Sequence, residues 1–153
     1  MMKNLVSLVI VTAIVLVGAT TAFADYPNYL GGNKNYILWN GRQGYGMYID
    51  RSSLNVEMYN PPRYIIAIDW VGVPNAYGGS TAIDSRQRER FSYDWNNKRI
   101  YRVFGTGELR YIDPNSSQAE GSYYADAAEI AFYLAYRMKF LGTYPESFYD
   151  LMK

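Results

Sequence analysis

Tyr48 to Val73 reads YIDRSSLNVEMYNPPRYIIAIDWVGV, and its pattern decides the class of fold. Leu54, Val56 and Met58 alternate with Asn55 and Glu57, the two-residue period of a strand with one buried face. Pro61 and Pro62 interrupt that strand, because proline cannot donate to a ladder. Arg63–Val73 then forms a long apolar, β-branched run suited to the middle of a sheet. Asp50-Arg51-Ser52-Ser53 stands before all of this. An adhesion-type metal site would need an Asp-x-Ser-x-Ser run whose alternate side chains converge on one ion, yet the fifth position is Leu54. Aspartate and serine also bond nearby backbone amides, so the segment is expected to be a turn that joins two strands and fixes their register.

Working outward, residues 25–34 (DYPNYLGGNK) suggest a flexible leader. Tyr36–Trp39 and Tyr45–Ile49 flank the turn-rich NGRQG of residues 40–44, as in a hairpin. PNAYGGS (74–80) is a loop. Ser85–Trp95 and Lys98–Phe104 flank Asn96-Asn97, a dipeptide suited to a two-residue turn, which sets Asp94 opposite Arg99. Leu109–Ile112 is a last short strand. From Tyr123 the period changes, and Ala127, Ile130, Ala131, Leu134, Met138 and Leu141 form one apolar stripe of a helix reaching Leu141. Gly142 is its expected cap, and Pro145 opens a short final helix carrying Phe148, Leu151 and Met152. The expected fold is α+β: an antiparallel sheet of about six to seven strands, then one long C-terminal helix packed on the sheet and a short final helix, all in one domain over residues 35–153.

Residues 1–24 have the form of a cleaved secretory signal: Lys3, an apolar run over Leu5–Val17, and Ala22-Phe23-Ala24 at the cut. An uncleaved anchor is the competing reading, since Leu5–Phe23 approaches the length of a spanning helix. Cleavage implies export to the periplasm or beyond, without stable membrane insertion. It also removes Lys3 and leaves basic residues equal in number to the 14 acidic ones. Such neutrality argues against nucleic acid as a partner. The chain has no cysteine, so neither disulfides nor N-terminal lipidation at a cysteine apply. Tyrosine is in excess, with 17 residues, in keeping with a half-wet sheet face or a binding surface.

The chain also has no histidine. Ser-His-Asp and Cys-His constellations and the common zinc sites are thereby excluded, and no cofactor-binding or metal-ligating set is expected. Paired carboxylates are the remaining conventional catalytic option, since glycosidases use two acids about 5 to 10 Å apart. The candidates are Asp50, Asp69, Asp94, Glu108 and Asp113. Asp69 is the first choice because it interrupts an apolar strand beside Trp70, although alternation turns it to the face opposite Ile68 and Trp70. RQRERFSYDW places Arg86, Arg88 and Arg90 on one face of a strand and Phe91, Tyr93 and Trp95 on the other. The arginines form either a rail for an acidic polymer or partner, or an edge that resists aggregation. Phe132, Tyr133, Tyr136 and Phe140 lie off the helical stripe. They await either a partner or a cover supplied by the C-terminal YPESFYDLM.

Together, YIDRSS, YNPPRYIIAI, SYDWNNKRIYRV, LRYIDPNSSQAEG and AEIAFYLAYRMKF resemble a group of small secreted bacterial proteins of unknown function. The strand-Tyr-x-Asp-x-Ser-Ser-strand pattern is similar to exported domains of the surface-adhesin protein E type. These resemblances bring no catalytic residues with them. The sequence therefore suggests a non-catalytic exported domain that binds an envelope component or a protein partner through Arg86, Arg88 and Arg90 or through Tyr133 and Tyr136. The alternatives are a polysaccharide-acting enzyme using Asp69, a structural envelope protein, and a soluble inhibitor of a secreted enzyme.

Overall fold

The computed structural model describes residues 26–153; the expected signal, residues 1–24, lies outside them. Six strands follow one another in an antiparallel meander: β1 (Tyr36–Arg42), β2 (Tyr45–Asn60), β3 (Arg63–Val73), β4 (Ser85–Asp94), β5 (Arg99–Phe104) and β6 (Glu108–Ile112). Helix α1 (Tyr124–Tyr136) and the short α2 (Glu146–Asp150) come after them. The α+β architecture expected from the run of strands before helices is the one observed. No helix among the described residues is long and apolar enough to cross a membrane.

Alternation along β3 sets the two faces. Tyr64, Ile66, Ile68 and Trp70 join Phe91, Tyr93, Ile100 and Ile112 in the main core beneath α1. Val71 and Val73 turn outward, where Leu30, Tyr48 and Ala76 enclose them in a second, smaller core. Each fully buried isoleucine contributes about 1.5–3 kcal/mol of hydrophobic stabilisation. Alanines at 125, 127, 128 and 131 are buried and let α1 approach the sheet closely. The Tyr93 hydroxyl donates to the Ala128 carbonyl at 2.7 Å, bonding sheet to helix in a dry interior.

Asp50–Ser53 does not separate two strands. It is a bulge inside the single long β2: Asp50 pairs with Asp69, the next pair is Asn55 with Ala67, and the residues between bow out of register. The local chemistry is as expected. Asp50 accepts from the Ser52 amide at 3.0 Å and from its hydroxyl at 2.6 Å, while Ser53 donates to the Asp50 carbonyl and accepts from the Asp69 amide. Because the serine side chains meet the bulged backbone's needs, the strand continues rather than ending. The β4–β5 connection also differs from expectation. Asp94 does pair with Arg99, but the loop spans four residues, and Lys98 rather than an asparagine takes the positive φ of 52°. Trp95 leaves the ladder to stack on Phe132, with the Lys98 ammonium over its ring.

The segment read as a leader makes specific contacts with the sheet. Leu30 is buried, Tyr29 bridges to Ile37, and the Leu38 amide donates to the Asn28 carbonyl. The Tyr26 ring lies so close to Gly41 that a Cβ there would meet it at 2.6 Å.

Helix α1 ends at Tyr136, short of the expected Leu141, and Arg137 takes the left-handed conformation that closes it. Met138 is consequently exposed. Phe140, which the wheel set apart from the core, is buried among Tyr93, Trp95 and Phe132. The reversal is held by Glu129, which is fully buried. Its carboxylate accepts from the Phe140 amide at 2.9 Å, the Leu141 amide at 2.8 Å and the Tyr149 hydroxyl at 2.8 Å. The C-terminal segment thereby folds back over the second face of α1. Tyr149 and Met152 are wholly buried, Tyr144 donates to Asp126, and Arg51 and Arg137 both donate to the Met152 carbonyl.

Removing a buried acceptor strands its donors, each costing about 1–3 kcal/mol. Glu129→Leu should therefore lose about 3–5 kcal/mol, read as a lowered urea midpoint at unchanged slope.

Candidate functional site

The outer face of the sheet, away from α1, gathers the charges singled out in the sequence. Across β1 to β4, Tyr36, Asp50, Asp69 and Arg88 form one cross-strand row. Arg86 lies diagonally beside it. One nitrogen of Arg86 (Nη1) contacts Asp50 at 2.6 Å and Asp69 at 3.5 Å, and Arg88 holds the other oxygen of Asp69 at 2.7 Å. Two carboxylates directly opposite one another repel; the shared guanidinium offsets that repulsion. Farther along, Arg90 pairs with Glu57 at 2.6 Å. Arg86, Arg88 and Arg90 do share a face, as alternation requires, but each has an acidic partner. The rail is a locally neutral ladder.

Of the five candidate acids, only Asp50 and Asp69 come together. Asp94 and Asp113 accept from the turn amides just beyond them, and Glu108 lies exposed on β6. Burial alone would raise the Asp50 carboxyl, but hydrogen bonds from Ser52 and Arg86 outweigh it and hold the group below the ordinary carboxylate range. A group held ionised in this way is poorly suited to donate a proton as a general acid. Asp69 faces away from Ile68 and Trp70, with its side chain 18% exposed. Among the described residues no group of three or more acidic, histidine or cysteine side chains could hold a metal ion.

Tyr133 and Tyr136 are both half-buried. Tyr133 packs on Tyr149, and Tyr136 packs on Tyr59, Tyr64 and Phe132 with its hydroxyl enclosed and unpartnered. The folded-back C-terminus meets the Tyr133 side of the helix.

A second place had no prominence in the sequence. A cleft of about 240 Å³ opens between the β5–β6 edge and the start of α1, lined by Arg102, Arg110, Tyr111, Tyr123, Tyr124 and Glu120 among others. Glu89 is buried on the core face of β4 and engages Arg102 through both oxygens. The Arg102 guanidinium lies 3.7 Å from the centre of the Tyr124 ring. Tyr123 and Tyr124 lean on each other at 4.5 Å and on Trp39 at 5.7 and 5.8 Å, giving the cleft an aromatic wall. Glu120 is committed to a capping box with Ser117, whose hydrogen bonds lower its pKa. Arg110 differs from these neighbours, because its one ion pair among the described residues is an exposed contact with Glu108 at 3.5 Å. The alternation of RQRERF puts Glu89 on the same side as Phe91, and a charge on an apolar face was the available signal for this site.

No family model, curated protein or solved structure matches this chain. The reading of both surfaces therefore rests on their geometry.

The Asp50 pair has a pH signature. Since the folded-state pKa is lowered, its stabilisation is complete above the unfolded carboxylate value of about 3.9 and fades as pH falls through the lower folded value. Asp50→Asn should cost roughly 1–2 kcal/mol at neutral pH, and the gap from wild type should close progressively in acid, as followed by urea melts across pH.

Proposed function

We propose that this protein is a non-catalytic exported domain that binds an envelope component or a protein partner, with the Arg110–Tyr123–Tyr124 cleft as its contact. The observation that carries this reading is the distribution of charge commitments. The outer-face arginines are matched by Asp50, Asp69 and Glu57, whereas Arg110, whose guanidinium lies 4.4 Å from the centre of the Phe104 ring, has as its ion pair among the described residues only an exposed, long contact with Glu108 beside an aromatic wall. An exposed guanidinium next to tyrosine rings suits an acidic group presented on an apolar or ring-bearing surface, because the cation bonds the acid while the rings contact the rest. The exported part of this reading rests on the signal-like form of residues 1–24, and the binding part is supported by the resemblance of the strand-Tyr-x-Asp-x-Ser-Ser-strand pattern to exported adhesin domains.

One observation favours a second reading as an enzyme on polysaccharide: Asp50 and Asp69 stand directly opposite each other on neighbouring strands. Against it, both carboxylates are occupied by arginine. Asp69→Asn with unchanged turnover of envelope polysaccharide would remove that reading.

The binding proposal is checked by co-sedimentation of residues 25–153 with envelopes of the source organism at low and high salt. Arg110→Ala should weaken binding about tenfold or more, the value of one charge-assisted hydrogen bond, while Arg88→Ala/Arg90→Ala leaves it unchanged. Loss of binding in the Arg88/Arg90 variant alone would move the contact to the outer face. Absence of wild-type binding at either salt would overturn the proposal.

A further inference from the structure

The two edges of the sheet are treated differently. At β1 the edge is partly closed by the chain itself, through the Tyr29–Ile37 bridge and the bond from the Leu38 amide to the Asn28 carbonyl. At β6, among the described residues, no backbone group of Glu108–Ile112 bonds to anything but β5. Leu109 and Tyr111 are 52% and 50% exposed there. Open edges of this kind pair with another strand unless something prevents it.

What the strand presents is complementary to itself. Glu108, Arg110 and Ile112 share the helix-side face, since Ile112 is buried in the core, and Leu109 and Tyr111 share the other. An antiparallel partner centred on Leu109 sets Glu108 of each copy against Arg110 of the other and Leu109 against Leu109. Tyr111 then lies opposite Gly107, where nothing among the described residues occupies the space that a side chain would take. Moving the partner by two residues, to a centre on Arg110, sets arginine against arginine, which is unfavourable. One two-fold register therefore satisfies every charge on the strand. The Glu108–Arg110 contact within one copy does not compete strongly, because it is long at 3.5 Å and both side chains are more than 60% exposed.

We infer that β6 is a self-association edge, at which two copies join antiparallel about Leu109 into one continuous sheet, with reciprocal Glu108–Arg110 pairs. The interface is isologous, so closing it leaves no second β6 to propagate a fibre. It also brings the two clefts described above close to the two-fold axis, since Arg110 and Tyr111 line both features. The Arg110 guanidinium has five N–H donors, so pairing with Glu108 of the second copy leaves donors for an acidic group in the cleft, and the inference does not depend on what the clefts bind.

Charge reversal tests the register directly, using sedimentation velocity without envelopes. The wild type should show a concentration-dependent monomer–dimer equilibrium. Glu108→Arg and Arg110→Glu each place like charges at both pairs, so each variant alone should weaken association about tenfold or more. An equimolar mixture of the two should restore the dimer, because every pair in the mixed species is again of opposite sign. All altered side chains are exposed, and circular dichroism confirms that each variant is folded. A wild type that stays monomeric at the highest attainable concentration overturns the inference, even if it binds envelopes, which would leave the edge to a different strand. Single variants that dimerise as well as wild type, or a mixture that fails to recover, overturn it equally.

Discussion

Glu129 is the constraint on which the C-terminal half of the fold turns. A carboxylate enclosed in an apolar core is unfavourable unless its lone pairs are met by donors. The donors here come from the chain that follows: two consecutive backbone amides, Phe140 and Leu141, and the Tyr149 hydroxyl. The helix must therefore stop early enough for residues 137–141 to double back, and α2 must dock at the one place from which Tyr149 reaches Glu129. Phe140 enters the core as a result, and Tyr133 is covered. The helix end, the reversal and the docking of α2 thus depend on one side chain.

The sheet solves a related difficulty on its opposite face. The outer surface of β3 changes from apolar at Val71 and Val73 to ionic at Asp69, and each part has its own cover. The valines are covered by Leu30, Tyr48 and Ala76, whereas Asp69 and its neighbour Asp50 are satisfied by arginines from β4. The Asp50–Ser53 bulge marks that boundary. By bowing β2 outward it brings the Ser53 hydroxyl to the Asp69 amide, so the bulge is joined to β3 as well as to its own strand. Charges that looked like a binding rail along one strand thus complete an ion-pair lattice between strands.

The features legible in the sequence were those governed by short periods. Alternation gave the two faces of β3 and β4 and the side on which Asp69 lies, and the Asn96-Asn97 turn signal gave the pairing of Asp94 with Arg99, though with a shorter loop than the one observed. The change to a helical period located α1, and Pro145 located the start of α2. Features that depend on tertiary contacts were not legible. The end of α1 at Tyr136 was hidden because the apolar pattern continues through Phe140 and Leu141, residues that stay in the core by reversing rather than by extending the helix. The bulge was read as a turn because aspartate and serine bond backbone amides in either setting. The cleft combines β5, β6 and the start of α1, whose proximity is a property of the meander and not of any local stretch; only Glu89, a charge in line with Phe91 and Tyr93, pointed toward it.

The contact between the two ends of the described chain bears on when this protein can fold. The Tyr29 hydroxyl donates to the Leu151 carbonyl across 122 positions of sequence, and Arg51, in the bulge of β2, reaches the Met152 carbonyl. Contacts so distant in sequence form late, because the whole intervening chain must be brought together first. The β2–β3 hairpin can zip as soon as its own residues are available. The apolar side of the sheet, however, stays uncovered until α1 and residues 144–152 arrive. During synthesis, the chain is therefore a partly formed sheet with a bare aromatic face. That interval, rather than the finished molecule, is when it most needs protection from aggregation.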